Sequence, residues 1–371
     1  MPDRVRTSRM ELRLRGQINS AKSSTDADCR RAELAAYLAR LGRFDEAREG
    51  LDSLRQRTYR EPRVELSAWI HLAEGVFAYF SNGGVSKADG VQRAHALCLA
   101  AGLDDLRAIC TAWLAQWDYA RVDMAALASH LREALKLAKP TNHSARSRAS
   151  LVAAQALHVA ARPDLASPWY SRARHHALAE EDDVTVSALM HNMAWIRMLL
   201  MRQAILTGHG DASAGRHALM NAESTAHFDQ MLGDSSWEEL KPILRAQILS
   251  LQGEASQALI LYDEHLGDLK VASRLQAHLL ADKAWCHTQL AQPEAARDCA
   301  AQALLSLEYT TDADDRAAAH GCLAQAFAAL GEADKAWSHR HLAAADWAEH
   351  QAAQECAIRL LASVDEEGET H

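Results

Sequence analysis

The 371-residue chain is short of residues that break or bend a backbone, with only 17 glycines and 7 prolines, and aromatic residues make up 6%. That composition leaves little for strands and favours helix throughout. The seven cysteines, Cys29, Cys98, Cys110, Cys286, Cys299, Cys322 and Cys356, never come closer than 12 residues, so no CxxC motif exists. An odd number of separated thiols points to reduced core residues in the cytoplasm. Positive charge is in deficit, with a formal net charge of −9 and a pI near 6.1. This argues against direct nucleic-acid binding through phosphate neutralisation. Contiguous apolar runs fall far short of a membrane span, so no membrane association is expected. Residues 1–17 carry Arg4, Arg6, Arg9, Arg13 and Arg15 but no apolar stretch, which excludes a signal peptide. A frayed or capping first helix, or a small basic docking tail, fits that segment.

Alanine, by contrast, is abundant and regularly placed. Ala35, Ala73, Ala115, Ala154, Ala194, Ala246, Ala284 and Ala324 lie 38, 42, 39, 40, 52, 38 and 40 residues apart. In five of these eight units a second alanine follows 12 residues later, at Ala47, Ala166, Ala258, Ala296 and Ala336. In the same five, the residue at plus 7 is Gly42, Ala161, Gly253, Ala291 or Gly331. Periods of this size mark stacked helical hairpins, whose core grows by one layer per repeat. In the first unit Leu34, Leu38 and Leu41 form a helical stripe, and Gly42 suits the left-handed residue that ends a helix. Phe44 then opens a second helix with Asp45 and Glu46 in its first turn, where the helix dipole favours them. Small residues at 35 and 47 let two antiparallel helices approach closely.

This pattern resembles the tetratricopeptide repeat: a small residue in the first helix, Leu-Gly at the turn, alanine early in the second. Residues 323–336 repeat it, with Ala324, Leu330-Gly331 and Ala336. Units 4 and 7 replace the turn glycine with Ala161 and Ala291 and start the second helix at Pro163 and Pro293, where a missing N–H costs nothing. The period near 40 is similar to the longer-helix branch found in maltose-regulator-type transcription activators and in arrays placed ahead of GGDEF signalling domains. The resemblance implies an all-α, right-handed superhelical array of about eight hairpins over residues 26–350. Residues 1–25 would form the basic N-terminal segment, and 351–371 the end of a C-terminal capping helix plus an acidic tail.

Several units depart from the pattern. Unit 2 has no clean turn, only Ser81-Asn82-Gly83-Gly84 where one is expected. Unit 3 reads as one residue out of phase in its second helix, around Ala126. Unit 5 carries about twelve extra residues, which the sequence places in a mobile loop at 207–213. Pro168 is expected to bend the second helix of unit 4.

Signals for chemistry are weak. No two of the 19 histidines stand at i, i+3 or i+4, and HExxH is absent, so no metal is expected. The Gly-Gly-x-Ser-Lys stretch ending at Lys87 lacks phosphate-loop spacing, and no GxSxG elbow occurs. The expectation is a protein that is not an enzyme and needs no cofactor.

In tetratricopeptide arrays the first helix lines the concave face, and the residue after the small position points into the groove. The resemblance places Ala36, Glu74, Gln116, Gln155, Trp195, Gln247, Trp285 and Gln325 there, with His158, Asn192 and Asp282 nearby. A row of amides can serve a peptide backbone, and tryptophan supplies buried area. The plainer alternative is a solvated helix surface for the glutamines and inter-repeat packing for the tryptophans. The implied function is a scaffold that holds a peptide or protein segment in its groove. The rival is a sensory or regulatory module whose superhelix changes shape on ligand binding. A homodimer through the C-terminal helix is a further expectation.

Overall fold

Small side chains decide this architecture, because two helices joined by a tight turn can meet only where neither carries bulk. The computed structural model describes residues 8–82, 87–210, 212–232, 238–269 and 272–368. Among them no strand occurs, and seventeen α-helices follow one another. Helix α1 (Arg9–Asn19) precedes eight successive pairs. These are α2 (Ser24–Arg40) and α3 (Phe44–Arg60), α4 (Val64–Ser81) and α5 (Asp89–Ala101), and α6 (Asp104–Ala120) and α7 (Met124–Leu137). Next come α8 (His143–Val159) and α9 (Pro163–Ala179), α10 (Asp183–Leu206) and α11 (Ala212–Leu232), and α12 (Leu240–Leu251) and α13 (Ala255–His265). The last are α14 (Ala272–Gln289) and α15 (Pro293–Leu307), and α16 (Ala313–Ala329) and α17 (Ala333–Gly368).

All eight marker alanines are at most 2% exposed, and the five that follow at plus 12 are at most 3% exposed. The turn residues explain the fixed register. Gly42, Ala161, Gly253, Ala291 and Gly331 all have positive φ, between 55° and 82°. In each turn the next N–H reaches back five residues, as in Arg43 to Leu38 and Gln292 to His287, closing the open helix end. The second helix then starts two residues after the left-handed residue.

The third unit corrects the expected phase slip. Val122 takes the left-handed conformation at φ 60°, α7 begins at Met124, and fully buried Leu127 fills the place alanine holds elsewhere. The second unit departs further. Its helices meet through glycine: a Cβ on Gly90 would stand 2.9 Å from the His71 carbonyl and 3.0 Å from the Gly75 nitrogen. Gly83 and Gly84 lie outside the described residues. The extra length of unit 5 is helical, since α10 has 24 residues and α11 has 21. Helix α10 ends with left-handed Gly208. Of the segment 207–213 expected as a loop, Asp211 lies outside the described residues, and 212 already belongs to α11. Helix α9 continues through Pro168 to Ala179. Residues 1–7 and 369–371 also lie outside the described residues.

The chain divides into two units. The first takes residues 1–190, 227–237 and 356–371; the second takes 191–226 and 238–355. In the first, Leu127, Leu131, Val152, Leu157 and Trp169 build one core layer with Leu361 and Val364 of α17. The C-terminal stripe thus covers α6 to α9, where the sequence suggested a cap for the last repeat. Also within this unit, Val184 joins Met10, Leu14 and Tyr37, while Arg9 pairs with Asp183 at 2.6 Å and Arg13 with Glu180 at 2.6 Å. In the second unit, Ala277, Ala281, Ala284, Leu323 and Phe327 form one layer. Ile243, Ala246, Ala258 and Tyr262 form another.

Helix α10 is long and apolar enough to cross a membrane by length and composition, with a mean hydropathy of 1.2 over its best window. Contiguous apolar runs had not suggested it. Ala194, Ile196, Met198 and Met201 of that helix are all buried.

Candidate functional site

The residue after each marker alanine holds the same place in its repeat, and the eight positions divide between the two compact units. In the first compact unit, after Ala36, the series continues with Glu74 on α4. Its carboxylate accepts from Arg55 Nε at 2.6 Å and contacts His71 Nδ1 at 3.1 Å. Burial opposes its charge, but these two partners outweigh it and hold the carboxyl below its ordinary range. Glu74 borders a polar hollow of about 460 Å³ with His71, Asn82, Lys87, Asp89 and Arg93.

Further along, Gln116 on α6 is buried and donates to the Tyr79 hydroxyl at 3.4 Å. Tyr79, Phe80, Trp113 and Trp117 form an edge-to-face aromatic cluster, with Tyr79 and Trp117 centroids 5.0 Å apart. Gln155 on α8 is buried with its Oε1 unpaired. His158, one turn on, shares a 3.1 Å hydrogen bond with Tyr170 Oη.

Arg148 lies outside the series that the repeat phase picks out. It sits two turns before Gln155 on α8, with 8% of its surface exposed. Its guanidinium carbon lies 4.0 Å from the Trp113 ring centre. Among the described residues it has neither hydrogen bond nor ion pair. Asp182 attracts it from nearby, but that carboxylate is committed to Arg40 at 2.9 and 3.1 Å and to the Thr185 hydroxyl at 2.7 Å. Burial, reinforced by the charge of Arg40, pushes the Arg148 pKa down to about 9. The group therefore remains a cation at neutral pH.

In the second unit Gln247 on α12 is fully buried against His278, 3.0 Å away. His278 also approaches Asp315 at 3.2 Å. Asp282 on α14 is sealed as well. It accepts from Arg202 at 2.6 Å, from the Tyr262 hydroxyl at 2.9 Å and from the Cys322 thiol at 3.0 Å. Arg202 and Asp282 are each 1% exposed at the side chain. Burial acts against the Arg202 charge, and Asp282 more than restores it. Gln247 and Asp282 thus offer nothing to solvent, although the repeat phase assigns them to the groove side; Asp282 and Gln247 Nε2 close inter-helix contacts, while Gln247 Oε1 stays buried without a partner.

Asn192, Trp195, Trp285 and Gln325 remain half-exposed. Trp195 and Trp285 both pack on the layer formed by Ala194, Met198, Leu244, Ile248 and Leu251. They therefore meet one layer, Trp195 from α10 and Trp285 from α14.

Other polar clusters involve residues far apart in sequence. His143 and His176 meet through their Nδ1 atoms at 3.0 Å, and His320 and His339 at 2.9 Å. Burial first, then the neighbouring histidine, pushes His176 and His339 down to about 4. The carboxylates of Asp312, Asp314 and Asp315 lie within 4.8 Å of one another. Burial and its two acidic neighbours raise Asp314 to about 7. All seven cysteines are unbridged, six of them buried.

Periodicity found the alanine seams and the face opposite them. It missed Arg148, Arg202 and Asp182 because charged residues on a helix are ordinarily solvated. The available signal for Arg148 was its setting within Ser147-Arg148-Ala149-Ser150, a run of small residues, seven positions before Gln155. No protein-family model and no curated protein matches the chain.

Proposed function

We propose that this chain is a tetratricopeptide-like helical-repeat scaffold, not an enzyme, that holds a peptide or protein segment on the face formed by the first helices of its hairpins. The observation that carries this reading is the pair Trp195 and Trp285. Both follow directly after a buried marker alanine, and both stay only half-buried where they pack on one layer, Trp195 from α10 and Trp285 from α14. A tryptophan with one side packed and one side open is the usual anchor of a protein interface. Asn192 and Gln325 supply amides on the neighbouring helices. The repeat phase supports a right-handed superhelical course for the array, which small-angle scattering would report.

Selection from a random dodecapeptide library, followed by titration of the winning peptides, tests the reading. Trp195→Ala and Trp285→Ala should each weaken binding by about tenfold or more, in line with roughly 2 kcal/mol for an interface anchor. Gln325→Ala should weaken it less and leave the melting temperature unchanged. Selected peptides that bind both tryptophan variants as tightly as the parent would place the interface elsewhere.

A further inference from the structure

We propose that the α16–α17 hairpin of the second unit binds a divalent late-transition-metal ion between His320 and His339, one ring from each helix. The site is separate from the tryptophan face and does not depend on it. Spacing along single helices pointed to no metal; here the two ligands come from different helices.

The two Nδ1 atoms stand 2.9 Å apart. At that distance at most one of them carries a hydrogen, so at least one lone pair faces the contact. Two nitrogens on one ion, each bound at about 2.0–2.1 Å, lie about 2.8–3.0 Å apart at a right angle and about 3.3–3.4 Å apart in a tetrahedron. The observed separation matches the right angle, the arrangement that tetragonal Cu²⁺ and Ni²⁺ prefer. His143 and His176 make the same contact at 3.0 Å in the α8–α9 hairpin. His143 lies 11 residues before Ala154 and His176 lies 22 after it; His320 lies 4 before Ala324 and His339 lies 15 after it. Seven residues forward on the first helix are thus matched by seven back on the second, about two turns. Both pairs therefore sit on the same antiparallel seam, and the repeat register brings the rings together.

Surroundings single out the second pair. His320 Nε2 lies 3.9 Å from Asp346 Oδ2, and Arg316 Nε holds that carboxylate through Oδ1 at 3.0 Å. The first distance is too long for a hydrogen bond, but the charge favours the tautomer with the hydrogen on Nε2. The His320 Nδ1 lone pair is then the one turned to His339. Carboxylates commonly back the histidines of metal centres in this way. The His143–His176 pair has His175 and Arg146 beside it instead. Lys335 also faces His339, but its ammonium is held by Glu332 at 2.7 Å. Phe327 stacks on His339, with ring centres 5.4 Å apart and planes 18° apart, and fixes the ring plane. Neither histidine is sealed: the His320 side chain is 13% exposed and His339 9%. As the ion enters, His339 gives up any hydrogen on Nδ1 and carries one on Nε2, so both rings bind as neutral ligands. Two nitrogen donors select against Mg²⁺ and Ca²⁺, which take oxygen.

The test adds one equivalent of Cu²⁺ to the metal-free full chain at neutral pH and reads the electron paramagnetic resonance spectrum and the melting temperature. The spectrum should show couplings to two imidazole nitrogens, and the melting temperature should rise. Ni²⁺ should raise it at least as much as Zn²⁺, and Mg²⁺ should leave it unchanged. His320→Gln and His339→Gln should each lose one coupling and weaken binding by about tenfold or more. Asp346→Asn should keep both couplings and weaken binding by about tenfold, a pattern that a merely structural carboxylate would not produce. His143→Gln should leave the spectrum as it is. Two couplings that persist in both His320→Gln and His339→Gln would mean adventitious copper on other histidines and would overturn the site. So would fewer than two couplings in the parent, a loss in His143→Gln, or a response to Mg²⁺ equal to that for Ni²⁺. Should His320→Gln fail to fold, His339→Gln carries the same comparison.

Discussion

Arg148 in the first compact unit and Arg202 in the second are both buried, and the two are treated in opposite ways. Arg202 in the second unit has Asp282 at 2.6 Å, and Asp282 is itself held by Tyr262 and Cys322. Arg148 in the first unit has an aromatic ring and no anion. The desolvation cost is similar in kind, but only Arg202 is bonded directly to a carboxylate, through Nη2, while its Nε and Nη1 stay buried without a partner. A closed pair of this sort fixes how α10, α13, α14 and α16 meet. An open cation contributes no such fixing and is retained at a cost to stability. That difference separates a charge that holds helices together from one that does not.

The comparison breaks most sharply at Asp282. Asp282→Ala should lower stability by about 3–5 kcal/mol, because it strands Arg202 as an uncompensated buried charge. Urea denaturation measures this, and an unchanged midpoint would mean water already compensates Arg202. Next in size is a change that leaves charge alone. Ala246→Leu should overpack the α12–α13 seam and cost about 1–3 kcal/mol; a neutral result would contradict the close approach argued from full burial of Ala246 and Ala258.

A smaller effect, of opposite sign, is expected at the two turns that lack glycine. Ala161 and Ala291 hold φ 57° and 55°. Ala161→Gly in the first unit and Ala291→Gly in the second should each stabilise by about 1 kcal/mol, by removing left-handed strain. Destabilisation by either would show that the alanine methyl is worth more than the strain.

The smallest effect is shared by both units. His176 and His339 have pKa values pushed down to about 4 from an ordinary 6.5. Between those values the unfolded chain takes up a proton that the folded chain refuses, so stability falls as pH drops through that window. The melting temperature should therefore decline from pH 6.5 to pH 4, less steeply in His176→Gln and His339→Gln. Equal acid sensitivity in both variants and the parent would remove the histidine pairs from the account.

Much of the fold is legible in the sequence, because alanine spacing reports a geometric need that nothing else meets. The position of every marker alanine and five left-handed turn residues follow from it. Unit 3 hides its phase because Leu127 occupies the place that alanine holds in five other units, and Val122 adopts a conformation that β-branched residues rarely accept. Unit 2 misled because its small pair is Gly75 and Gly90, outside the alanine phase. The candidate site is less legible. Repeat phase says which face a residue shares, and it does not say how far a neighbour covers that face. Gln247 and Trp285 hold equivalent places, yet one is sealed beneath His278 and the other is half-open. Arg148 and Arg202 look alike as letters; only the partners brought from 80 residues away, in the case of Arg202, tell them apart.

The most direct test of the central contrast is the melting temperature of Arg148→Met beside that of Arg202→Met, at neutral pH and without added ligand. Arg202→Met leaves Asp282 buried without a counterion, held only by Tyr262 and Cys322, and should lose stability by several kcal/mol with a matching fall in melting temperature. Arg148→Met removes an uncompensated cation and should hold or rise. Equal losses in the two variants would show that Arg148 serves the core as Arg202 does, and would contradict the account.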